Sequence, residues 1–298
     1  MKRRFFTLDV FTDRRFAGNP LAVVLESEGL DTAAMQAIAG EFNLSETVFV
    51  LPPQDAAHRA RYRIFTPKEE VAFAGHPTIG TSVLLGMLDG GSEARDMVLE
   101  AKIGPVPCRV VPAGAAGQAS FALPALPQDE GPPPPVADLA AALGLATDDI
   151  GAGAYQPACF SMGIAFTFAP VKNLDAVRRA APDLARFSSE LSARAHRAVY
   201  VYCPEAAEPG HDFHVRMFAP SHGVVEDPAT GSAAAAFAGV LGRFGGLKDG
   251  THSVTIEQGY EMGRQSLITL GLTIEGGALT AGTVGGGAIV AQEGKIEA

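Results

Sequence analysis

The sequence has no tryptophan, only three cysteines and too little positive charge, and each shortage narrows what the chain can be. Cys108, Cys159 and Cys203 are odd in number and far apart. They make no disulfide framework and no C-x-x-C metal pair, so they read as small buried hydrophobes. Lys and Arg total 23 against 33 Asp and Glu, a formal net charge of −10, and the only basic run is the opening Lys2-Arg3-Arg4. That leaves no patch for nucleic acid or an anionic membrane. Apolar runs are short, and none approaches the roughly 18 residues of a membrane-crossing helix. Asp9 and Asp13 interrupt the basic start, which lacks the unbroken apolar stretch of a signal peptide, so the cytoplasm is the expected location. A G-x-x-x-x-G-K phosphate loop is missing too, and the glycine run 282–287 precedes no helical pattern, so it is not a dinucleotide fingerprint.

Apolar residues supply 47% of the 298, with 34 glycines and 21 prolines. That is enough apolar material for sizeable cores, cut by many turns, in a length that suggests two domains. Alternating or short apolar runs predict strands at 3–11, 20–26, 47–51, 59–65, 97–111, 119–123, 164–168, 198–203 and 211–218, with more strands between glycine turns over 251–293. A turn is expected at Ala17-Gly18-Asn19-Pro20. Asp31 is placed to cap a helix reaching Phe42. Helices are also expected at 77–88, 136–145, 174–181 and 228–244, and the proline-rich stretch 127–136 reads as a stiff linker.

Part of the chain repeats. Arg63-Ile64-Phe65-Thr66-Pro67 is echoed by Arg216-Met217-Phe218-Ala219-Pro220, 153 residues on. His76-Pro77-Thr78-Ile79-Gly80-Thr81 is echoed by Asp227-Pro228-Ala229-Thr230-Gly231-Ser232. Each copy leads into a stretch with no charged residue, 78–88 and 229–241. A helix apolar all round must be buried, and neighbouring strands can wrap it. His76 and Asp227 fall where the N-caps belong, with a proline at or near the first helical position. Free N–H groups and the positive end of the dipole at such a start suit a carboxylate or phosphate. With the halves packed about a pseudo-twofold axis, both starts would face one cleft, where ligand sites tend to lie. The plainer reading makes Asp227 only a cap.

Glu46 opens an apolar strand, where burial would raise its pKa and let it take and return a proton. It can equally be a solvent-facing charge. His76 can polarise a substrate group or be an ordinary loop histidine. His211, His214 and His222 superficially suggest a metal, but residues three apart on a strand face opposite sides, so no metal is expected.

Six ordered segments together resemble the PhzF-like family of the diaminopimelate-epimerase fold: Asp9-Val10-Phe11-Thr12 with Phe16 to Pro20; Leu44-Ser45-Glu46; Arg63 to Pro67; Phe73-Ala74-Gly75-His76-Pro77; Glu226 to Ala233; and Gln258 to Arg264. Gln265 stands where that family usually has proline. The resemblance implies an α+β fold of two similar domains, 1–120 plus 284–298 and 121–283. Each would be a curled, mostly antiparallel, barrel-like sheet around a central buried helix. It implies a homodimer without a cofactor, acting on a small carboxylate-bearing molecule. Glu46 would shuttle the proton with His76 and Asp227 assisting, while Gly75, Gly231, Ser232 and Asn19 bind substrate. Epimerases of the fold carry a cysteine at each helix start; here Ala74-Gly75-His76 and Glu226-Asp227-Pro228 stand there. The expected activity is a proton-shifting isomerisation such as that of trans-2,3-dihydro-3-hydroxyanthranilate. The alternatives are an amino-acid racemase using two carboxylates and a non-catalytic binding protein.

Overall fold

The structure, a computed structural model, describes residues 1–191 and 197–298; the side chains of Glu190 and His222 lie outside the described part. The chain divides into two compact units, Met1–Ala122 with Gly285–Ala298, and Leu123–Val284.

The first unit runs β1 (Lys2–Val10), β2 (Asn19–Val24), α1 (Thr32–Phe42), β3 (Glu46–Leu51), β4 (Ala60–Phe65), β5 (Glu70–Val71), α2 (Gly75–Leu88), β6 (Arg95–Ala101), β7 (Gly104–Ala113) and β8 (Ala116–Ala122). Neighbouring strands pair β1–β2, β3–β4, β6–β7 and β7–β8 antiparallel, while β2–β3 and β4–β6 are parallel. The chain's last strand, Ala278–Glu297, pairs with both β1 and β8, closing the ring into a barrel. The sheet is therefore mixed, with two parallel steps among its antiparallel ones. Strand β7 shows how sequence sets its faces: Val106, Cys108 and Val110 point inward, and exposed residues alternate with them. At α1 the Asp31 carboxylate accepts the Ala34 N–H, as expected of a cap, and Asn43 ends the helix in the left-handed region at φ 50°.

Helix α2 is buried from Gly75 through Gly86 and packs against β1, β2, β3, β6, β7 and β8. Burying Ile79, Val83, Leu84 and Leu85 is worth about 1.5–3 kcal/mol apiece. Gly80 allows the closest approach, since a Cβ there would sit 2.6 Å from Leu21 and 2.8 Å from Val10.

The second unit runs β9 (Gln128–Asp129), α3 (Val136–Ala142), β10 (Ala158–Ser161), β11 (Ala165–Pro170), α4 (Leu174–Arg179), the single turn α5 (Leu184–Arg186), β12 (Val199–Cys203), β13 (Phe213–Ala219), β14 (Val224–Asp227), α6 (Gly231–Phe244), β15 (Gly250–Gln258), β16 (Ser266–Glu275) and the first residues of β17 (Ala278–Glu297). Antiparallel pairs β9–β10, β10–β11, β12–β13 and β15–β16 are joined by parallel steps β11–β12 and β13–β15. The proline-rich stretch expected as a linker is partly structured, because β9 inside it pairs with β10. Phe237 of α6 lies in an aromatic cluster, its ring 5.8 Å from Phe168, 5.6 Å from Tyr200, 4.8 Å from Tyr202 and 5.1 Å from Phe213.

Both units contain the same local devices. Arg63 lies over Phe65 and forks onto Glu70, and Arg216 lies over Phe218 and forks onto Glu226. Glu100 accepts the Gln54 and Asp55 N–H groups and bonds His58 Nδ1; Glu257 accepts those of Ala207 and Glu208 and bonds His211 Nδ1. Each pair among Gln54/Ala207, Asp55/Glu208 and His58/His211 is 153 residues apart, the offset of Arg63/Arg216. The charged forks anchor strand ends, and the donors around Glu100 hold its carboxyl well below the usual range, the backbone N–H groups foremost.

Gly80→Val is expected to overpack α2 against β1 and β2 and to destabilise the protein by about 1–3 kcal/mol or more. Urea unfolding checks it, and a neutral substitution would refute the tight seating of this helix.

Candidate active site

In the first unit, three segment starts converge. Asp9, nearly fully buried, accepts the Phe16 N–H at 2.6 Å and closes the loop after β1. Gly18 completes that loop at φ 62°, where a Cβ would come within 2.3 Å of the Val10 carbonyl oxygen. The turn thus spans 11–18 and not the expected 17–20: Asn19 and Pro20 already belong to β2. Pro20 stands opposite Asp9 of β1, while pairing with β3 begins only at Leu21, so on the β3 side its missing N–H breaks no ladder bond. That parallel pairing sets Leu21 beside Glu46, the first residue of β3, whose side chain is 19% exposed. Asn19 is buried.

His76 comes from above, and its place corrects the sequence reading. Ala74 is the N-cap of α2, so His76 is the second helical residue and Pro77 the third. The ring is buried, and burial pushes its pKa down to about 3, against a weaker opposing bond to the Pro20 carbonyl. That bond needs a ring N–H. Nε2 lies 3.4 Å from Glu46 Oε2 without hydrogen-bond geometry, so the N–H to Pro20 is assigned to Nδ1. His76 is therefore neutral, with the Nε2 lone pair turned toward a carboxyl.

In the second unit, Asp227 is not a helix cap. It ends β14, a strand the sequence did not suggest, and pairs with Met217. Thr230 is the N-cap of α6, which begins at Gly231 with Ser232 second, so Pro228 lies before the helix. The Thr230 hydroxyl donates to Asp227 Oδ2 at 2.6 Å. Fully buried Gln258 donates from Nε2 to the Asp227 carbonyl at 2.7 Å and to Thr230 Oγ1 at 2.9 Å, and its Oε1 accepts the Thr230 N–H at 3.0 Å. Ser266 donates to the Pro228 carbonyl at 2.8 Å. Gly259, at φ 77°, lies so near that a Cβ would be 2.6 Å from the Pro228 oxygen. Gln258 and Thr230 stand in the recognisable segments, yet their sequence context carried no hint of a role, because a buried amide clamp is visible only once β15 lies beside the turn.

The histidines at 211 and 214 both bond Glu257, through Nδ1 at 2.7 and 2.8 Å. The opposite-face argument failed because His211 precedes β13, which starts only at Phe213, so strand alternation does not govern it. His214 Nε2 also meets Glu261 at 3.0 Å. Burial opposes charging His214, but the bonds to Glu261 and Glu257 outweigh it and raise its pKa. A cavity of about 250 Å³ lined by Arg178, Ala207, His214, Tyr260 and Glu261 opens beside this cluster. Among the described residues, no group of three or more His, Cys, Asp or Glu is arranged to hold a metal ion, and no helix is long and apolar enough to cross a membrane. The side chain of His222 lies outside the described residues. All three cysteines are buried, and burial pushes Cys108 and Cys203 up to about 11. These two are thiols at neutral pH, unfit as thiolate bases.

Two consequences are measurable. A thiol reagent at pH 8 is expected to label no cysteine in the folded protein and all three in urea; fast labelling of native protein would contradict their burial. Unfolded His76 titrates near 6.5 and the folded residue near 3, so the unfolded state takes up the proton first as pH falls. This contribution to stability is present above about pH 6.5 and drains away toward pH 3. Denaturation at pH 7 and pH 4.5 is expected to show a drop that shrinks in His76→Asn; an equal drop in both proteins would deny a neutral, buried His76.

Residues 8–294 match the family described as phenazine biosynthesis-like protein, PhzC-PhzF. An uncharacterized isomerase of Mesorhizobium japonicum is 49% identical over 298 residues, covering 99% of this chain and 98% of that protein. The trans-2,3-dihydro-3-hydroxyanthranilate isomerase of Pseudomonas fluorescens is 34% identical over 274 residues, covering 89% and 88%. The crystal structure of the Bacillus anthracis phenazine biosynthesis protein of the PhzF family superposes with a TM-score of 0.89 over 100% of both chains at 27% identity. With its fold, its ordered segments and its isomerase-named relatives in agreement, the chain belongs to the PhzC-PhzF family of phenazine biosynthesis-like proteins.

Proposed function

We propose that this protein is an isomerase that shifts a proton within a small carboxylate-bearing substrate, with Glu46 as the acid/base group. The observation that carries this reading is the apposition of Glu46 Oε2 and the lone pair of neutral, buried His76 at 3.4 Å. Two acceptors facing each other draw a proton toward the space between them, so a carboxylate set against the Nε2 lone pair is a ready base for one substrate proton and can give it back. Glu46 as carboxylate removes a proton from one carbon; the electron pair left behind moves through the conjugated system; the carboxylic acid then returns the proton to a carbon further along the same face. One group suffices for a 1,3- or 1,5-shift. A solvent-facing Glu46 would have neither the partial burial nor the histidine neighbour.

The remaining assignments follow helix-start physics. The N–H groups at Gly75, Gly231 and Ser232 begin helices and suit the substrate carboxylate, with Asn19 beside Pro20 as a further polar contact. Asp227 is assigned to the substrate's polar groups. The substrate class comes from relatives named trans-2,3-dihydro-3-hydroxyanthranilate isomerase, 34% and 35% identical to this chain.

Proton NMR in deuterium oxide with trans-2,3-dihydro-3-hydroxyanthranilate tests the proposal. The wild type is expected to convert it with deuterium entering at one carbon, and Glu46→Gln to lose about a hundredfold or more of the rate while keeping its melting temperature. Conversion by Glu46→Gln at the wild-type rate would remove Glu46 from the chemistry. No conversion by the wild type would reject this substrate and turn the search to other cyclic or amino carboxylates.

A further inference from the structure

The turn from Asp227 to Thr230 is tied to one side chain that no sequence pattern marks as functional. Gln258 is fully buried at the end of β15. Its amide orientation is fixed by backbone partners: the Thr230 N–H requires an oxygen, and the Asp227 carbonyl requires an NH₂. The second hydrogen on Nε2 then goes to Thr230 Oγ1 at 2.9 Å. Having accepted this hydrogen, the hydroxyl turns its own toward Asp227 Oδ2, 2.6 Å away. The direction of the whole chain is thereby set, from amide to hydroxyl to carboxylate. A protonated Oδ2 would face a hydroxyl already receiving one hydrogen and would send the threonine hydrogen away. The ionised form completes every bond.

We propose that Gln258 is a positioning residue which, through the Thr230 hydroxyl, fixes the rotamer of Asp227 and holds its carboxyl ionised. Asp227 then meets substrate as a hydrogen-bond acceptor or base and not as a proton donor. Ser266 and Gly259, clasping Pro228 from the other side, keep the turn within reach of the amide. This functional meaning rests on the proposed role of Asp227, but the relay itself is a property of the resting protein and is testable without substrate.

The test is a carbon-13 titration of the whole chain labelled at the aspartate carboxyl carbon, with the Asp227 signal identified by its loss in Asp227→Asn. Thr230→Val, nearly equal in volume, is expected to raise the Asp227 pKa by about one unit, the worth of one hydrogen bond to a charged group. Thr230→Ser, which restores the hydroxyl, is expected to titrate as the wild type does. Gln258→Met is expected to raise the pKa as well, and the double variant Thr230→Val/Gln258→Met to go no further than Thr230→Val alone, because both changes cut the same chain. If Gln258→Met does not fold, Gln258→Asn, too short to reach both partners, takes its place. Unchanged titration in Thr230→Val overturns the relay. So does an unchanged Gln258 variant, which would leave the amide purely structural, or full additivity in the double variant. A Thr230→Ser shift as large as that of Thr230→Val would show lost packing and not a lost hydroxyl. None of these failures touches the proposal for Glu46, which the deuterium experiment decides alone.

Discussion

The burial of α2 is the constraint from which the first unit follows. A helix with no charged side chain and buried from Gly75 to Gly86 can exist in water only if strands cover it, and the ring of pairings from β1 round to the last strand does so. The same burial sets the charge state of His76. His76 sits in the first turn of that helix, so it is carried out of water with it, and a desolvated imidazole with one carbonyl partner stays neutral. A more exposed first turn would leave the ring free to charge and to form an ion pair with Glu46.

The second unit solves a different problem around its helix start. Asp227 lies at the end of a strand, close to fully buried, and every polar atom in such a place needs a partner. Gln258, Thr230 and Ser266 supply them from elements distant in sequence. A satisfied buried network of this kind is rigid, since shifting one member leaves another without a bond. It fixes the carboxylate more firmly than a simple helix cap would, and it explains why the second copy of the Pro-x-x-Gly repeat does not start its helix where the first does.

Elsewhere the two units use carboxylates for architecture. Glu100 and Glu257 gather backbone N–H groups and a histidine each and tie loops to strands. The loop and histidine members of these clasps, with the Arg and Phe of the two forks, lie at the 153-residue offset first seen in the Arg-x-Phe motif. They were invisible in the sequence beyond that motif, because Gln54 and Ala207 contribute only backbone, which carries no residue signature. The pairing of His211 and His214 on one carboxylate was misread for a related reason: strand alternation was applied to a residue lying before the strand.

The sequence by itself determined what is local or compositional: the Asp31 cap, the alternation of β7, the uncharged stretches 78–88 and 229–241 that fall largely in α2 and α6, the buried cysteines, and the ordered segments by which the family is recognised. These depend on neighbours a few residues apart, where periodicity and capping act. Only the tertiary structure decided that Asp227 ends a strand and is no cap, that the turn after β1 closes at Gly18, that His76 lies neutral against Glu46, and that Gln258 reaches across from β15 to Thr230. Each of those outcomes depends on desolvation or on hydrogen bonds between residues far apart in the chain, and neither has a value until the chain has folded around them.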